Sequence, residues 1–561
     1  GEQGYYPWDK KSGNWLSGIK FIDEARLYNM DEITETMKNH KATNTYYFLP
    51  LIFGLIGLFF HSRMQQKEFL VLLTLFVITG LGIIFYSNQP PNEPRERDYV
   101  LVGSFFTFCM WIGMGVIALY HYLKEKMPGM AAAGIAGALV MTAPIIMGFQ
   151  NFDDHSRKEH KAARDYASNF LESCEPNSII FTYGDNDTYP LWYAQEVENI
   201  RTDVRVVNLS LIAVDWYINK LRSKVNDSPA LKLTIPEDAY RGKNRNQIPF
   251  FVRDENQAMD LKSAIRFIGE DHPLPAQTIT FESFVPARRF FIPVDSVKAL
   301  RNGIVHPEDA DNLVRAIEVK FPNKNYLTKD EIAVLDIIAS NIFDRPIYFA
   351  STCKNEKLLG LNDFMSHEGI GFQIVPIKTA SDKSLAIYGS GRVDVDRVYR
   401  NVMERFKWGN FDKKDLHVDA SYAAGVQSHK LVIMRACEAL IAQGDNTRAV
   451  ALADKYFDVF PHFNFPYDAG IMPFIEVYIV AGAFDKAKKH MRILADEAEQ
   501  NLRFFDSIDE AVVENSFQTE YLYALRAVRD LMRNAGRVQD PEFKQEMQQL
   551  LGPYDITNLR N

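Results

Sequence analysis

Residues 46–60, YYFLPLIFGLIGLFF, open the stretch that decides the fold. Three runs of the same character follow: 69–86, FLVLLTLFVITGLGIIFY; 100–119, VLVGSFFTFCMWIGMGVIAL; and 130–149, MAAAGIAGALVMTAPIIMGF. Each is close to the roughly 17–25 residues a helix needs to cross a bilayer. None contains Lys, Arg, Asp or Glu. A single run of this kind is compatible with a buried core helix. Four in succession, joined by short loops, read as four transmembrane helices, because hydrocarbon admits only backbone that satisfies its own hydrogen bonds. The first run is the shortest and holds Pro50.

The connections differ. The loops His61–Glu68 and His121–Pro128 are short and carry Arg63, Lys67, Lys124 and Lys126. The middle loop, Ser87–Tyr99, reads SNQPPNEPRERDY. Pro90, Pro91 and Pro94 forbid a continuous helix there and favour a stiff, extended path. It delivers Arg95 and Arg97 to the start of the third run. Guanidinium forks bind phosphate oxygens bidentately, so a lipid-linked phosphate at the membrane edge is one reading. Pairing of Arg95 and Arg97 with Glu93, Glu96 and Asp98, or with ordinary lipid heads, is the other.

The chain has 561 residues, a net charge of -9 and a pI near 5.8. With no basic stripe, nucleic-acid binding is excluded as the main function. The length suggests several domains. The first residue is Gly, which reads as a fragment or a processed chain, and the polar segment Gly1–Thr45 lacks the apolar core of a signal peptide. Four cysteines do not make a disulfide framework. Cys109 lies in an apolar run and Cys437 in an expected helix, while Cys174 and Cys353 follow soluble elements and can pair only outside the cytoplasm.

Four regions are expected: 1–45, an amphipathic segment; 46–149, the membrane helices; 150–392, an α/β domain with a mainly parallel sheet; and 393–561, helical repeats. In the first, Ile22, Ala25, Leu27 and Met30 form a loose apolar face, suited to the membrane surface or to docking on protein. In the third, Asn151–Cys174 reads as one helix, Ser178–Tyr183 and Val204–Leu211 as strands, and the helix between them completes a βαβ unit, hence parallel pairing. Lys224–Asp295 is rich in proline and reads as an insertion with short strands at Phe250–Val252 and Thr278–Phe281. Ala316–Phe321 and Ile347–Ala350 read as further strands, with Phe372–Ile377 and Ser384–Tyr388 pairing beside the latter. Thr328 and Glu331 make a capping box ahead of IAVLDIIAS. In the fourth, Leu431–Phe460 and Phe474–Leu502 each read as two antiparallel helices, broken at Gly444–Asp445 and Gly482–Phe484. This resembles tetratricopeptide-like hairpins with a long period, and Glu520–Met532 is expected to cap the stack.

The motif with most chemistry is Gly184–Asp185–Asn186–Asp187–Thr188, directly after the strand Ser178–Tyr183. Ligands of open α/β sheets bind beyond the carboxyl ends of strands. Asp185 and Asp187 suit sugar hydroxyls or a hard cation, with Asn186 and Thr188 adding hydrogen bonds. The alternative is an Asx turn capping a helix that runs through Pro190. The pattern lacks the remaining ligands of a calcium loop, and His155 and His160 are spaced wrongly for a zinc pair, so no metal and no cofactor are assigned.

NQPPNEPRERDY, YGDNDTYPLWYAQEVENIRTDVRVVNLSL and FDRPIYFA together resemble a family of large membrane proteins of unknown function common in the Bacteroidetes. That family is similar to the transmembrane protein O-mannosyltransferases with C-terminal tetratricopeptide repeats, and the resemblance runs along essentially the whole chain. It implies a glycosyltransferase that moves mannose or a related sugar from a polyprenyl-phosphate donor to Ser or Thr of envelope proteins. The acidic catalytic residues of such enzymes lie in a first exoplasmic loop that matches no part of this sequence, so no catalytic residue is assigned. Four Lys/Arg in the two short loops against two in the Pro-rich loop put the short loops inside, whereas Lys38, Lys41, Arg157, Lys158 and Lys161 argue the other way. The resemblance implies the inner membrane, with both ends and the soluble domain in the periplasm. The rival reading is a non-catalytic membrane-anchored scaffold that grips protein partners through its repeats.

Overall fold

The computed structural model describes residues 15–88, 97–273 and 281–554. The apolar runs form helices of unequal length. A short helix α1 (Lys20–Arg26) precedes them. The first run becomes α2 (Leu49–Met64), the second α3 (Gln66–Ser87, with a π turn at Ile78–Gly82), the third α4 (Val102–Leu123) and the fourth α5 (Gly129–Gln150). Three helices, α3, α4 with its leading 3₁₀ turn, and α5, are long and apolar enough to cross a membrane, which marks a membrane protein. α2, the fourth helix expected to cross, is apolar but shorter than these three. Its 16 residues rise about 24 Å, short of the roughly 30 Å of hydrocarbon. Pro50 sits in its first turn, where a missing N–H breaks no bond, and Tyr47 and Phe48 before it take φ of 50° and 56°. Leu70, Val71, Ile84, Phe85 and Phe106 point outward, an apolar perimeter that water would not tolerate.

Glycine lets α2 and α4 meet backbone to backbone. A Cβ on Gly57 would stand 1.8 Å from the Trp111 carbonyl oxygen, and one on Gly115 would stand 2.8 Å from that of Phe53. At the other end of the same contact the buried Trp111 Nε1–H donates to His61 Nδ1 at 3.3 Å. The start of α2 is clamped to the end of α5. Thr45 N–H donates to Gln150 Oε1 at 2.6 Å, and Gln150 Nε2–H returns to the Thr45 carbonyl at 2.8 Å.

The segment ahead of α2 lies on protein. Leu27 and Tyr28 are buried in the main core, and Tyr28 packs edge-on against Phe504 and Phe517. Thr36 Oγ1 donates to Glu497 at 2.8 Å, and Lys41 pairs with Asp415. Of its expected apolar face, Ala25 is exposed.

In the α/β domain the expected single helix after α5 is two. A short turn of helix, Phe152–His155, is separated by a bend from α6 (Ala162–Glu172). The bend arises where the Arg157 guanidinium donates to the Asp154 carbonyl. The central sheet has strands β1 (Ile179–Thr182), β2 (Arg205–Asn208), β3 (Ile347–Ala350), β4 (Met365–His367), β5 (Gly371–Ile374) and β6 (Arg392–Val393), in the order β6-β4-β5-β3-β1-β2. β2, β1, β3, β4 and β6 run in one direction and only β5 runs against them, antiparallel to β3 and to β4, so the sheet is mainly parallel with one reversed strand. α7 (Asp185–Glu196) crosses from β1 to β2, and α8 (Asp215–Lys220) follows β2. Ser384–Tyr388 is not a strand but part of the 3₁₀ segment Lys383–Gly389, and the place expected for it belongs to the β4–β5 hairpin. The insertion has its own three-stranded sheet, Ala258–Asp260, Arg289–Pro293 and Ala316–Lys320, so Ala316–Phe321 does not join the central sheet. The strand expected at Phe250–Val252 is displaced to Gln247–Pro249, and Thr278–Thr280 lie outside the described residues. α9 (Lys329–Asn341) begins at the expected capping box, with Thr328 N–H donating to Glu331 at 3.0 Å. Cys174 and Cys353 are both free and buried, so the disulfide is not formed.

The C-terminal part is built of antiparallel helical hairpins: α10 (Ala423–Ala442) with α11 (Asn446–Val459), α12 (Met472–Val480) with α13 (Phe484–Asp506), and α14 (Gln518–Ala535) with α15 (Pro541–Leu551). Gly444 and Gly482 make the first two turns at φ of 79° and 75°, the left-handed region glycine enters without strain. Gln539 at φ 58° makes the third, and Asp540 then caps α15. The helix expected to end the stack is therefore the first arm of a third hairpin.

Candidate functional site

The chain leaves β1 toward β2 on one side, and β3 pairs on the other, so a topological switch point lies beyond the carboxyl ends of β1 and β3. Two loops meet there. The first is Tyr183–Thr188. Gly184, at φ 86° and ψ -179°, takes a conformation open only to glycine and caps α7 without a side-chain bond, so the Asx-turn alternative does not form. The α-helical turn that follows sorts the four candidate residues. Asp185 and Asn186 face solvent, while Asp187 and Thr188 are buried. Thr188 Oγ1 donates to the Gly184 carbonyl at 2.8 Å and lies 2.7 Å from Thr182 Oγ1.

The second loop, Ser351–Lys354, brings Thr352, whose hydroxyl donates to Asp187. Tyr166 on α6 and Tyr388 border the same space, and Tyr388 OH donates to Ser428 Oγ at 3.0 Å. Burial first, and the Asp187 charge after it, push both phenols up. Among the described residues no cation lies within ion-pair distance of Asp187. Lys357, whose ammonium approaches the Tyr183 ring, is held by Asp330 at 2.7 Å. Burial therefore pushes the Asp187 carboxyl up to about 6, with Thr352 and the Tyr183 backbone drawing it back only in part. A carboxyl poised near neutrality among hydroxyl groups can accept from, or exchange a proton with, a ligand hydroxyl. One carboxylate makes no cation cage, and no cluster of three or more metal-ligating side chains occurs among the described residues.

The remaining candidates lie elsewhere. Arg97 is exposed at the foot of α4, and Arg95 is outside the described residues. Thr352, Tyr166, Tyr388 and Ser428 were not singled out in the sequence. The available signal was for Thr352 alone, which follows the strand in FDRPIYFA as Gly184 follows β1. Beside the outer strand β2 a cavity of about 580 Å³ opens between α7 and α8, walled by Trp192, Trp216 and Tyr217.

The raised Asp187 carboxyl has a consequence for stability. The native state holds this proton more tightly than the unfolded chain, whose carboxyl titrates near the ordinary value of about 3.9. The Asp187 contribution is most favourable below about pH 4, declines as pH rises toward 6, and is flat above. Asp187→Asn is expected to remove that decline and to gain about 1–2 kcal/mol at pH 7.5. Thermal unfolding of both proteins from pH 4 to 8 reads this directly, and parallel curves would refute it.

Fold and site define a membrane protein whose α/β domain carries a carboxyl-and-hydroxyl crevice and continues into stacked helical hairpins. The family model described as TMEM260-associated domain 2 matches residues 163–397, from α6 to the helix that follows β6. No curated protein and no solved structure matches the chain.

Proposed function

We propose that the chain serves a membrane glycosyltransferase of the protein O-mannosyltransferase type, which moves mannose or a related sugar from a polyprenyl-phosphate donor to Ser or Thr of envelope proteins. The observation that carries this reading is one chain joining membrane helices to a domain matched by the TMEM260-associated family. Arg95 and Arg97 at the membrane edge meet the donor phosphate, and the Asp187 crevice meets the acceptor or its sugar, with Thr188 inside and Asp185 and Asn186 at its rim. α2 makes a fourth pass, consistent with its clamp to the end of α5, and both flanks face the periplasm from the inner membrane. The hairpins act as tetratricopeptide-like repeats that present the acceptor.

The test is a glycopeptide mass comparison of envelope proteins from cells with the gene, without it, and with Arg95→Ala/Arg97→Ala or Asp187→Ala in the full-length protein. Loss of hexose in the null and in both variants is the expected result. Unchanged glycans in the null would reject the enzyme reading. A scaffold reading also has an observation behind it, since α13 and its neighbours already hold another segment of the chain, residues 28–36, through Tyr28, Glu35 and Thr36. Under that reading the null changes co-purifying partners and leaves glycans intact.

A further inference from the structure

The insertion sheet buries one face and leaves the other uncovered. Phe290, Ile292, Ile317 and Val319 form the buried face. The alternating positions form the other, with Arg289 opposite Lys320 and Phe291 opposite Glu318. This outer face does not end in open solvent. Arg315, at the start of the third strand, and Phe364 and Lys378, from the margin of the central sheet, border it, and together these residues line a cavity of about 480 Å³. The two rims are fastened to each other by the Val314 N–H, which donates to the Pro376 carbonyl at 2.9 Å.

The charge in this cleft is one-sided. Four cations line it, Arg289, Arg315, Lys320 and Lys378, against a single carboxylate, Glu318. Lys320 takes that carboxylate at 2.6 Å. Among the described residues no carboxylate lies within 4.0 Å of Arg289, Arg315 or Lys378. Glu318 is held below the usual carboxylate range by Lys320 first, and also by the charges of Lys378 and Arg289, which line the same cleft. Three unmatched cations in one cleft repel, and they do so in a chain whose net charge is -9. A ligand that supplies the missing negative charge removes that repulsion. Two guanidinium forks and an ammonium suit a tetrahedral oxyanion better than a planar carboxylate, because the forks take separate oxygen pairs while the ammonium serves as a point charge. The half-buried Phe291 gives an apolar wall for whatever the anion is attached to.

We infer that this cleft binds a multiply charged phosphate-class anion, a pyrophosphate or phosphomonoester, free or carried as a lipid headgroup. The inference stands independently of the transferase reading, because none of its residues belongs to the Asp187 crevice or the Pro-rich loop.

The test is calorimetric titration of the full chain in detergent with inorganic pyrophosphate and, separately, with a short-chain phosphatidic acid. Saturable binding of at least one is expected. Arg289→Gln and Lys378→Gln are each expected to weaken it at least 5-fold and the double substitution about 30-fold or more, whereas Glu318→Gln is expected to tighten it about 3-fold. These side chains are exposed or half-exposed, so the melting temperature should not move. Arg315→Gln serves as a second probe should one variant unfold. Tighter binding of the lipid than of pyrophosphate assigns the headgroup source, and the reverse assigns a free anion. Binding of neither, or binding indifferent to all four substitutions, overturns the inference.

Discussion

Leucine in place of Gly57 is expected to destabilise the membrane bundle by about 3 kcal/mol or more, the upper range for overpacking a close contact. The clash would be with backbone, not with a side chain that can turn away. The Trp111 carbonyl oxygen stands 1.8 Å from the position of a Cβ on Gly57, and the Gly115 nitrogen 2.8 Å from it. α2 would have to move off α4, taking with it the His61–Trp111 hydrogen bond. Gly113→Leu is the matched control, since a Cβ there meets nothing within 4 Å. In detergent, Gly57→Leu should lose most of its folded yield or melt well below the parent, while Gly113→Leu should melt with it. Equal behaviour of the two variants would mean that α2 does not pack on α4 in this register.

Arg397→Met should cost about 3–5 kcal/mol, the range for removing one partner of a buried ion pair. Arg397 lies in the helix Val395–Arg400 and reaches under the central sheet. Its Nη1–H donates to Glu368 Oε1 at 2.5 Å and to Gln373 Oε1 at 3.0 Å, and its Nη2–H donates to the Gly303 carbonyl. Tyr348 OH donates to the other Glu368 oxygen at 2.6 Å, and Asn401 holds the Glu368 carbonyl. Burial pushes the Glu368 carboxyl up, and Arg397 draws it back down. Without the arginine the carboxyl must keep its proton, so the loss should deepen as pH rises. Adding Glu368→Gln should recover much of it. For a domain of this size the single substitution corresponds to roughly 10 °C in melting temperature. A shift of less than about 2 °C would mean that the pair is not what closes this end of the sheet.

The two predictions rest on features that differ in how far the sequence discloses them. The charge-free runs were legible because the requirement they meet is local: enough consecutive apolar residues, no ionised side chain, prolines between runs. So were the βαβ unit around Gly184, the Thr328–Glu331 capping box and the Gly444 and Gly482 turns, each set by a few neighbouring residues. Even there local reading misses where α2 begins, because it counts apolar residues and does not see that Tyr47 and Phe48 leave the helical region before Leu49. Ser384–Tyr388 looked like a strand by composition, yet the sheet position was taken by Met365–His367, whose partner Gly371–Ile374 is only a tight turn away.

What the sequence by itself determined is the solvent each segment needs, hydrocarbon for the four apolar runs within 46–149 and water with a buried core for the domains that follow, since transfer free energy belongs to residue types and their spacing. Only the tertiary structure decided which groups meet. Thr352 reaches Asp187 across 165 positions, Tyr28 reaches Phe504 across the whole membrane block, and Cys174 and Cys353 stay apart. Contacts at such separations follow from how strands pair and layers pack, and no local pattern records them.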